Sequence, residues 1–304
     1  MNNICCLLDT CTIINLIHID KDDFLLKKLD KVNFTLNSVV FDEVRKNVYL
    51  PLNKGNQQKY SDKSTIEEKR KSINQVLPIF QRKKNDNEQL LNDLGNDYFD
   101  KIISVTKYSN KLNGELCSSA YALYLSRINS EKIFFYTDDY PAKEHFSPFF
   151  DHQQIGQIKD SVDLLILLYW LDDNFTETQL DNTLSDLHSL YATEVTVLKQ
   201  KLQDFYNNNV NAKFKRSKEE IVNNLSSLIN KLDKLDFKNI GNSYSFFEAK
   251  KSKCKDIFEI LKSYNSVFEL EIKFGTKTLL DKISQTRASI KENKIYKWSD
   301  LLSN

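Results

Sequence analysis

The chain of 304 residues is 40% hydrophobic and 28% charged, which is typical of a folded globular protein and excludes an intrinsically disordered one. No apolar run approaches the roughly 18 residues that a membrane-spanning helix needs, so no such helix is expected. The net charge of +1 conceals an asymmetry, because residues 1–190 contain 22 Lys and Arg against 28 Asp and Glu, whereas residues 191–304 contain 21 against 14.

Short, continuous apolar runs mark three predicted β-strands in the first half of the chain, at residues 4–8, 32–36 and 132–136. Apolar character without alternation is typical of parallel strands that helices cover on both faces. A helical pattern follows each run, with Ser38 as the expected cap of one helix and Pro141 in the first turn of another. The sequence therefore predicts an α/β domain with a mainly parallel sheet.

A long, mostly polar segment, residues 50–110, separates the second and third predicted strands. Its start is broken around Gly55, after which a helix is expected to begin at Ser64. Residues 88–108 also have helical character. The segment ends in a loop before a helix that carries Glu115 in its first turn.

Beyond residue 175, hydrophobic residues recur at steps of three and four, which predicts helices packed on one another. The three stripes are Leu184, Leu187, Tyr191, Val195, Leu198, Leu202 and Phe205, then Ile221, Leu225, Leu228, Leu232 and Leu235, then Ile257, Leu261, Tyr264 and Phe268. We therefore predict two domains, an α/β domain over residues 1–175 and an all-α hairpin or bundle over residues 176–304. The basic second region is expected to contact a substrate, a partner or a second copy of the chain.

The five cysteines are odd in number and contain no Cys-x-x-Cys pair; they are Cys5, Cys6, Cys11, Cys117 and Cys254. A disulfide framework or a zinc site is therefore not expected, and a reducing cytoplasm is the expected location. Cys5, Cys6 and Cys11 lie in an apolar run, where a free cysteine usually acts as a small core residue.

Acidic residues stand out by their context: Asp9, Glu43, Glu115, Asp138 and Asp139. Asp9 and Asp138 follow predicted strands, and ligand sites in parallel sheets lie at the carboxyl ends of strands. Clustered carboxylates repel one another unless a cation neutralises them, and hard oxygen ligands suit Mg²⁺ or Mn²⁺. Because phosphate oxygens complete such a shell well, the cluster predicts metal-assisted hydrolysis of a phosphodiester.

Four of these acids, all except Glu43, also have a simpler explanation when they are taken alone. Asp9 is placed to cap a helix, and Glu115 is placed to interact with a helix dipole. Asp138 and Asp139 could form an ordinary turn. Only the joint occurrence of the acids, in this order, favours a functional site.

Four stretches of the chain resemble, in order, the motifs of PIN-domain nucleases. The first is residues 7–16, where Asp9-Thr10 follows an apolar strand, and the second is residues 38–44, which contain Glu43. The third is residues 113–123, where Gly114-Glu115 begins a helix, and the fourth is residues 135–143, which contain Thr137-Asp138-Asp139. Together they cover roughly residues 1–170. The chain departs from the minimal toxins of this family in the long segment at 50–110 and in the helical region after residue 175.

The resemblance implies a PIN-like three-layer α/β/α fold and metal-dependent cleavage of RNA, as in the toxins of toxin–antitoxin pairs. Carried over to this chain, it implies that Asp9, Glu43, Glu115 and Asp138 are the catalytic, metal-binding acids. Asp139 would join them as a further ligand. The hydroxyl of Thr10 or Thr12 would support the site.

The resemblance therefore implies an endoribonuclease that depends on Mg²⁺ or Mn²⁺ and acts as a toxin or phage-defence effector, restrained or activated by a protein partner. DNA remains possible as the substrate, and the C-terminal helices could form a homo-oligomer. The alternative is a catalytically silent PIN-like scaffold that binds a protein partner or nucleic acid through those helices. Two basic clusters, residues 82–84 and Lys213, Lys215, Arg216 and Lys218, either contact phosphates or are solvated surface.

Overall fold

The computed structural model of the protein describes residues 4–53, 63–85, 95, 97–108, 112–234, 236–268 and 275–302. The chain divides into two compact units, of which the first comprises Met1–Leu187 and Lys282–Asn304 and the second comprises His188–Asp281. This division falls inside a long helix, whereas the sequence-based boundary lies at residues 175 and 176. Residues from 282 onward belong to the first unit, so the second unit is inserted in its sequence.

Five strands among the described residues form an all-parallel sheet in the order β3-β2-β1-β4-β5. The strands are β1 (Ile4–Leu8), β2 (Phe34–Asn37), β3 (Lys84–Asn85), β4 (Lys132–Tyr136) and β5 (Gly156–Lys159). The two central strands pair along their whole length, with Ile4 opposite Lys132 and Leu8 opposite Tyr136. The predicted α/β class with a parallel sheet is confirmed.

Helices of the first unit surround this sheet. In chain order they are α1 (Thr10–Ile19), α2 (Phe24–Leu29), α3 (Ser38–Asn47), α4 (Leu50–Asn53), α5 (Lys63–Lys83), α6 (Asp97–Thr106), α7 (Gly114–Ile128), α8 (Tyr140–His152) and α9 (Ser161–Leu171). Leu7 and Leu8 point to opposite faces of β1, and both are fully buried. Burial on both faces explains why the strand is apolar throughout.

The predicted strands at residues 4–8 and 132–136 coincide with β1 and β4. The strand predicted at residues 32–36 corresponds to β2, which begins two residues later than predicted, at Phe34. No apolar run marks the edge strand β5, whose four residues include a single apolar side chain, that of Ile158. A Cβ on Gly156 would lie 1.9 Å from the carbonyl oxygen of Ile133, so only glycine fits against the neighbouring strand there.

The segment between β2 and β4 is only partly described. The helix expected at Ser64 begins at Lys63, and the helical character expected over residues 88–108 is found as α6. Gly55 and residues 86–94 lie outside the described residues. The predicted cap of α3, Ser38, is wrong by one residue, because the side chain of Asn37 accepts the hydrogen bond from the Val40 amide.

The second unit consists of helices in the residues that the structure describes. They are the later part of α10 (Glu177–Asn209), α11 (Ala212–Ser217), α12 (Glu219–Asp233), α13 (Ile240–Ala249), α14 (Lys255–Lys262), α15 (Asn265–Phe268) and the start of α16 (Gly275–Lys291). Leu202, Leu225 and Leu261, one from each predicted stripe, are fully or almost fully buried in a single core. The third stripe spans a break between α14 and α15, and Leu235 lies outside the described residues.

The last of the described helices, α17 (Trp298–Leu302), belongs to the first unit. None of the described helices is both long enough and apolar enough to cross a lipid bilayer.

The order of the strands reverses between the two central strands of the sheet. From β1 the chain proceeds to β2 and β3 on one side, and later to β4 and β5 on the other. The carboxyl ends of β1 and β4 therefore lie side by side where the strand order reverses, which is where parallel α/β sheets bind ligands. Asp9 follows β1 there, and its amide donates to the carbonyl oxygen of Tyr136 at 3.0 Å.

Candidate metal centre

Asp9 is a buried carboxylate at this point of the sheet, with 1% of its surface exposed. It occupies the N-cap position of α1, but its side chain makes no capping hydrogen bond, so the simple capping explanation fails. Oδ2 instead accepts hydrogen bonds from Thr137 Oγ1 at 2.8 Å and from Cys11 Sγ at 3.1 Å. Oδ1 is buried and has no hydrogen-bond partner within the described part of the chain.

Glu43 joins the starts of two helices. Its Oε2 accepts from Thr10 Oγ1 at 2.6 Å, and its Oε1 accepts from the amide of Gly114 at 3.1 Å. A Cβ at position 114 would lie 2.7 Å from Oε2, so the carboxylate reaches this amide only because the residue is glycine. Since Asp9 immediately precedes Thr10 and Glu115 follows Gly114, Glu43 links the segments that carry Asp9 and Glu115.

Glu115 lies in the first turn of α7, which Asn113 caps by accepting from the Leu116 amide. Burial, followed by the charge of Asp9, raises the pKa of Glu115 to about 8. Burial also raises the pKa of Asp9 to about 6, although its hydrogen bonds from Cys11 and Thr137 act in the opposite direction. These carboxyls therefore experience both desolvation and mutual repulsion.

Asp138 and Asp139 have different roles. Asp138 accepts from the backbone amide of Ser161 at 2.8 Å, from Ser161 Oγ at 2.5 Å and from Asn15 Nδ2 at 2.7 Å. Asp139 caps α8, because its Oδ1 accepts from the Ala142 amide at 3.0 Å. The helix-cap explanation therefore applies to Asp139, whose charge also contributes to the raised pKa of Glu115.

Cys11 was expected to be a small core residue, and this expectation is wrong. It is only partly buried, and besides donating to Asp9 its Sγ accepts from the amide of Asp138 at 3.1 Å, so it joins two of the motifs. Burial, with the charges of Asp9 and Asp138, raises the pKa of the thiol well above its usual value. The thiol therefore stays protonated and acts as a hydrogen-bond donor. None of the five cysteines forms a disulfide.

Sequence reasoning also missed Asn15 and Ser161, which both donate hydrogen bonds to Asp138. A signal for Asn15 exists, because it is a polar residue on the buried face of α1, beside Leu16. The two expected hydroxyl contributors both make hydrogen bonds, Thr10 to Glu43 and Thr12 to the carbonyl oxygen of Tyr136 at 3.0 Å.

The structure thus brings the four motifs together through hydrogen bonds without assembling a ready-made ligand shell. No group of three or more His, Cys, Asp or Glu side chains in the described residues is arranged to hold a metal ion. Protein donors occupy both oxygens of Glu43 and of Asp138. Asp9 Oδ1 is the buried carboxylate oxygen left without a partner among the described residues, and it fits a hard cation, since Mg²⁺ keeps several waters and needs only one or two carboxylates.

Comparison of the chain with protein-family models, with curated proteins and with solved structures found no match. The function is therefore argued from the chemistry of the site.

Proposed function

We propose that the first unit is a PIN-like, metal-dependent endoribonuclease in which Asp9, Glu43, Glu115 and Asp138 hold Mg²⁺ or Mn²⁺, with Asp139 beside them. The observation that carries this proposal is the unpartnered Oδ1 of Asp9, buried next to a second carboxyl whose pKa is raised to about 8. A buried carboxylate oxygen without a partner is unfavourable, and a divalent cation would remove that cost.

The cation, when bound, would supply a water of lowered pKa and would neutralise charge on a phosphodiester. The surrounding residues hold the acids in fixed orientations. Thr137 and Cys11 orient Asp9, while Ser161 and Asn15 orient Asp138. Such supporting hydrogen bonds are typical of sites in which carboxylates must stay close together despite their repulsion.

Glu115 differs from Asp9 in that its pKa lies above neutral pH, about 8 against about 6. A carboxyl with a pKa of about 8 is protonated in most molecules at pH 7, and a nearby cation would shift it toward the ionised form. Glu115 can therefore exchange a proton with a water or a leaving oxygen beside the acids of the site.

RNA is the proposed substrate because the motifs resemble the toxin-like branch of the PIN nucleases. That resemblance also favours a toxin or phage-defence role in which a protein partner restrains the enzyme. Phosphate oxygens of the substrate would supply ligands that the protein itself does not provide.

The test is cleavage of total cellular RNA by the purified protein in Mn²⁺, beside Asp9→Asn. In that variant the amide oxygen can still accept from Thr137 and Cys11, so the fold is expected to persist. We expect fragments from the wild type alone, and none in EDTA. Cleavage that persists in Asp9→Asn, or intact RNA with a folded, Mn²⁺-bound wild type, would contradict the proposal.

One observation favours the alternative, a catalytically silent scaffold that binds a partner or nucleic acid through its C-terminal helices. Both oxygens of Glu43 and of Asp138 are satisfied by protein donors, as in a structural hydrogen-bond network. A scaffold of this kind has no use for the unpartnered oxygen of Asp9. Melting with and without Mn²⁺ separates the two, because only a metal site gives a shift that disappears in Asp9→Asn.

A further inference from the structure

The second unit contains a polar groove between α10 and α12. Its volume is about 370 Å³, within the range of pockets that hold small ligands. One aromatic residue, Tyr206, lines it, together with four amide or hydroxyl side chains, those of Gln203, Asn207, Ser226 and Asn230.

These four side chains are exposed and open to a ligand. Within the described residues, none of them makes a hydrogen bond to another protein group. Side-chain amide groups present a donor and an acceptor side by side, and this pattern is complementary to the donors and acceptors on the edges of nucleobases. The half-buried ring of Tyr206 adds a surface on which a base can stack.

A cationic helix adjoins this groove. None of the six residues of α11 is buried, and this short helix carries Lys213, Lys215 and Arg216 between α10 and α12. In the described part of the chain these three side chains form no ion pair. Lys215 Nζ lies 5.7 Å from the centroid of the Tyr206 ring, so the cationic helix and the groove meet at this residue.

The charge of the unit is consistent with an anionic ligand. Residues 188–281 contain 16 Lys and Arg against 12 Asp and Glu. The one acid that lines the groove, Asp233, pairs with Lys199 at 2.8 Å and so adds little net negative charge there.

We propose that this groove and α11 bind single-stranded RNA, with a base against Tyr206 and the phosphates along Lys213, Lys215 and Arg216. A duplex does not fit this chemistry, since its Watson–Crick edges are paired and its stacked bases leave no face open for Tyr206. An acidic peptide would use the cations but would leave the four polar side chains of the groove without partners.

The test measures binding apart from cleavage. Full-length Asp9→Asn protein in EDTA is titrated into labelled RNA of about 12 adenosines, into a duplex of the same length and into the matching DNA. We expect the single-stranded RNA to bind at least tenfold more tightly than the duplex. Because cleavage is silenced in this assay, its outcome is independent of the proposed nuclease activity.

Two sets of variants locate the site. Lys213→Gln/Arg216→Gln is expected to weaken binding about tenfold and to lower the salt slope by about 0.7 for each phosphate that the variant no longer neutralises. Its matched control, Lys255→Gln/Lys262→Gln, removes the same charge from α14, which does not line the groove, and should change the affinity less than twofold.

Variants of the groove itself complete the test. Tyr206→Leu keeps an apolar side chain in place and should cost about tenfold in affinity, because a base can no longer stack on an aromatic ring. Asn207→Ala/Asn230→Ala changes only exposed side chains, so it remains informative if the tyrosine variant is unstable. No binding of the RNA, equal weakening in the α14 control or equal binding of the duplex would overturn the proposal, and equal binding of the DNA would overturn the assignment to RNA.

Discussion

Gly114 and Glu43 are in contact, and the contact leaves no room for a side chain at position 114. The Gly114 amide donates to Oε1 at 3.1 Å, and a Cβ would come within 2.7 Å of Oε2. The sequence pattern Gly-Glu at this helix start therefore has a physical cause, since the glycine admits one acid and the next residue supplies another.

We predict that Gly114→Ala weakens metal binding without unfolding the protein. The added methyl group must displace the flexible end of Glu43 and would lie 3.0 Å from Cγ2 of the buried Val40, which must shift by a few tenths of an ångström. Because alanine has fewer conformations than glycine in the unfolded chain, the substitution also gains about 0.4–1 kcal/mol, which offsets this cost. The Mn²⁺-dependent rise in melting temperature should fall by half or more, while the melting temperature in EDTA changes little. A large loss of stability in EDTA would show that the contact is structural.

We predict that Asp9→Asn stabilises the metal-free protein by about 2 kcal/mol at pH 8, because it removes a buried charge whose pKa is raised to about 6. Urea unfolding in EDTA measures this change, and Mn²⁺ should no longer stabilise the variant. Asp100→Asn, at an exposed position of α6, is the matched control and should leave both quantities unchanged. Destabilisation by Asp9→Asn would contradict the cation site.

Stability in EDTA should fall as the pH rises from about 4 to about 8. Asp9 and Glu115 have folded pKa values of about 6 and about 8, above the value near 4 of an unfolded carboxyl. The folded state therefore binds more protons over this range, and its advantage is lost as the pH passes the folded values. Urea unfolding at several pH values measures the trend.

Glu115→Gln should flatten this pH dependence, since it removes the group with the larger shift. Saturating Mn²⁺ should flatten it in the wild type, because the cation favours the ionised carboxylates. A pH trend that is the same in the variant and in the wild type would contradict the assignment.

A different acid, Asp172, should contribute to stability with the opposite pH dependence, because its pKa is lowered and not raised. Its side chain is 2% exposed and lies 2.7 Å from both Lys28 Nζ and Lys31 Nζ. Burial alone would raise the pKa of Asp172, but the hydrogen bonds from the two lysines outweigh it and hold the pKa well below its usual value. This contribution is present above pH 4 and is lost as the pH falls further.

We predict that Asp172→Ala lowers the free energy of unfolding by about 3 kcal/mol, because it leaves Lys28, which is 11% exposed, without its partner. The control is Asp186→Ala, which breaks a pair with the largely exposed Lys21 and should cost less than about 1 kcal/mol. Equal effects of the two substitutions in urea unfolding would contradict this reasoning.

Much of the fold was predictable from the sequence where burial on both faces left an apolar signature. The two central strands were predicted to the residue, as their continuous apolar character is specific to that environment. The edge strand β5 could not be predicted, because it pairs with a single neighbouring strand and is partly exposed, so polar residues are tolerated in it. Its first residue, Gly156, is also not typical of a strand.

The acids of the site were found from their order and positions, but their individual roles were not. Asp139, and not Asp9, is the acid that caps a helix, and this distinction depends on local backbone geometry. The partnership of Cys11 with Asp138 joins residues far apart in the chain, so no local pattern reveals it. Contacts of this kind follow from the sheet order, which a single sequence does not specify.

The position of β1 determines how its backbone amides exchange with solvent. Its amides are shielded by strands on either side and by apolar side chains on both faces, so they should exchange with solvent only when the whole unit unfolds. Asp9 continues directly from this strand, so the acid with the unpartnered oxygen is attached to the segment least subject to local fluctuation. Amide exchange should therefore be slowest at Leu7 and Leu8 and faster in the edge strand β5.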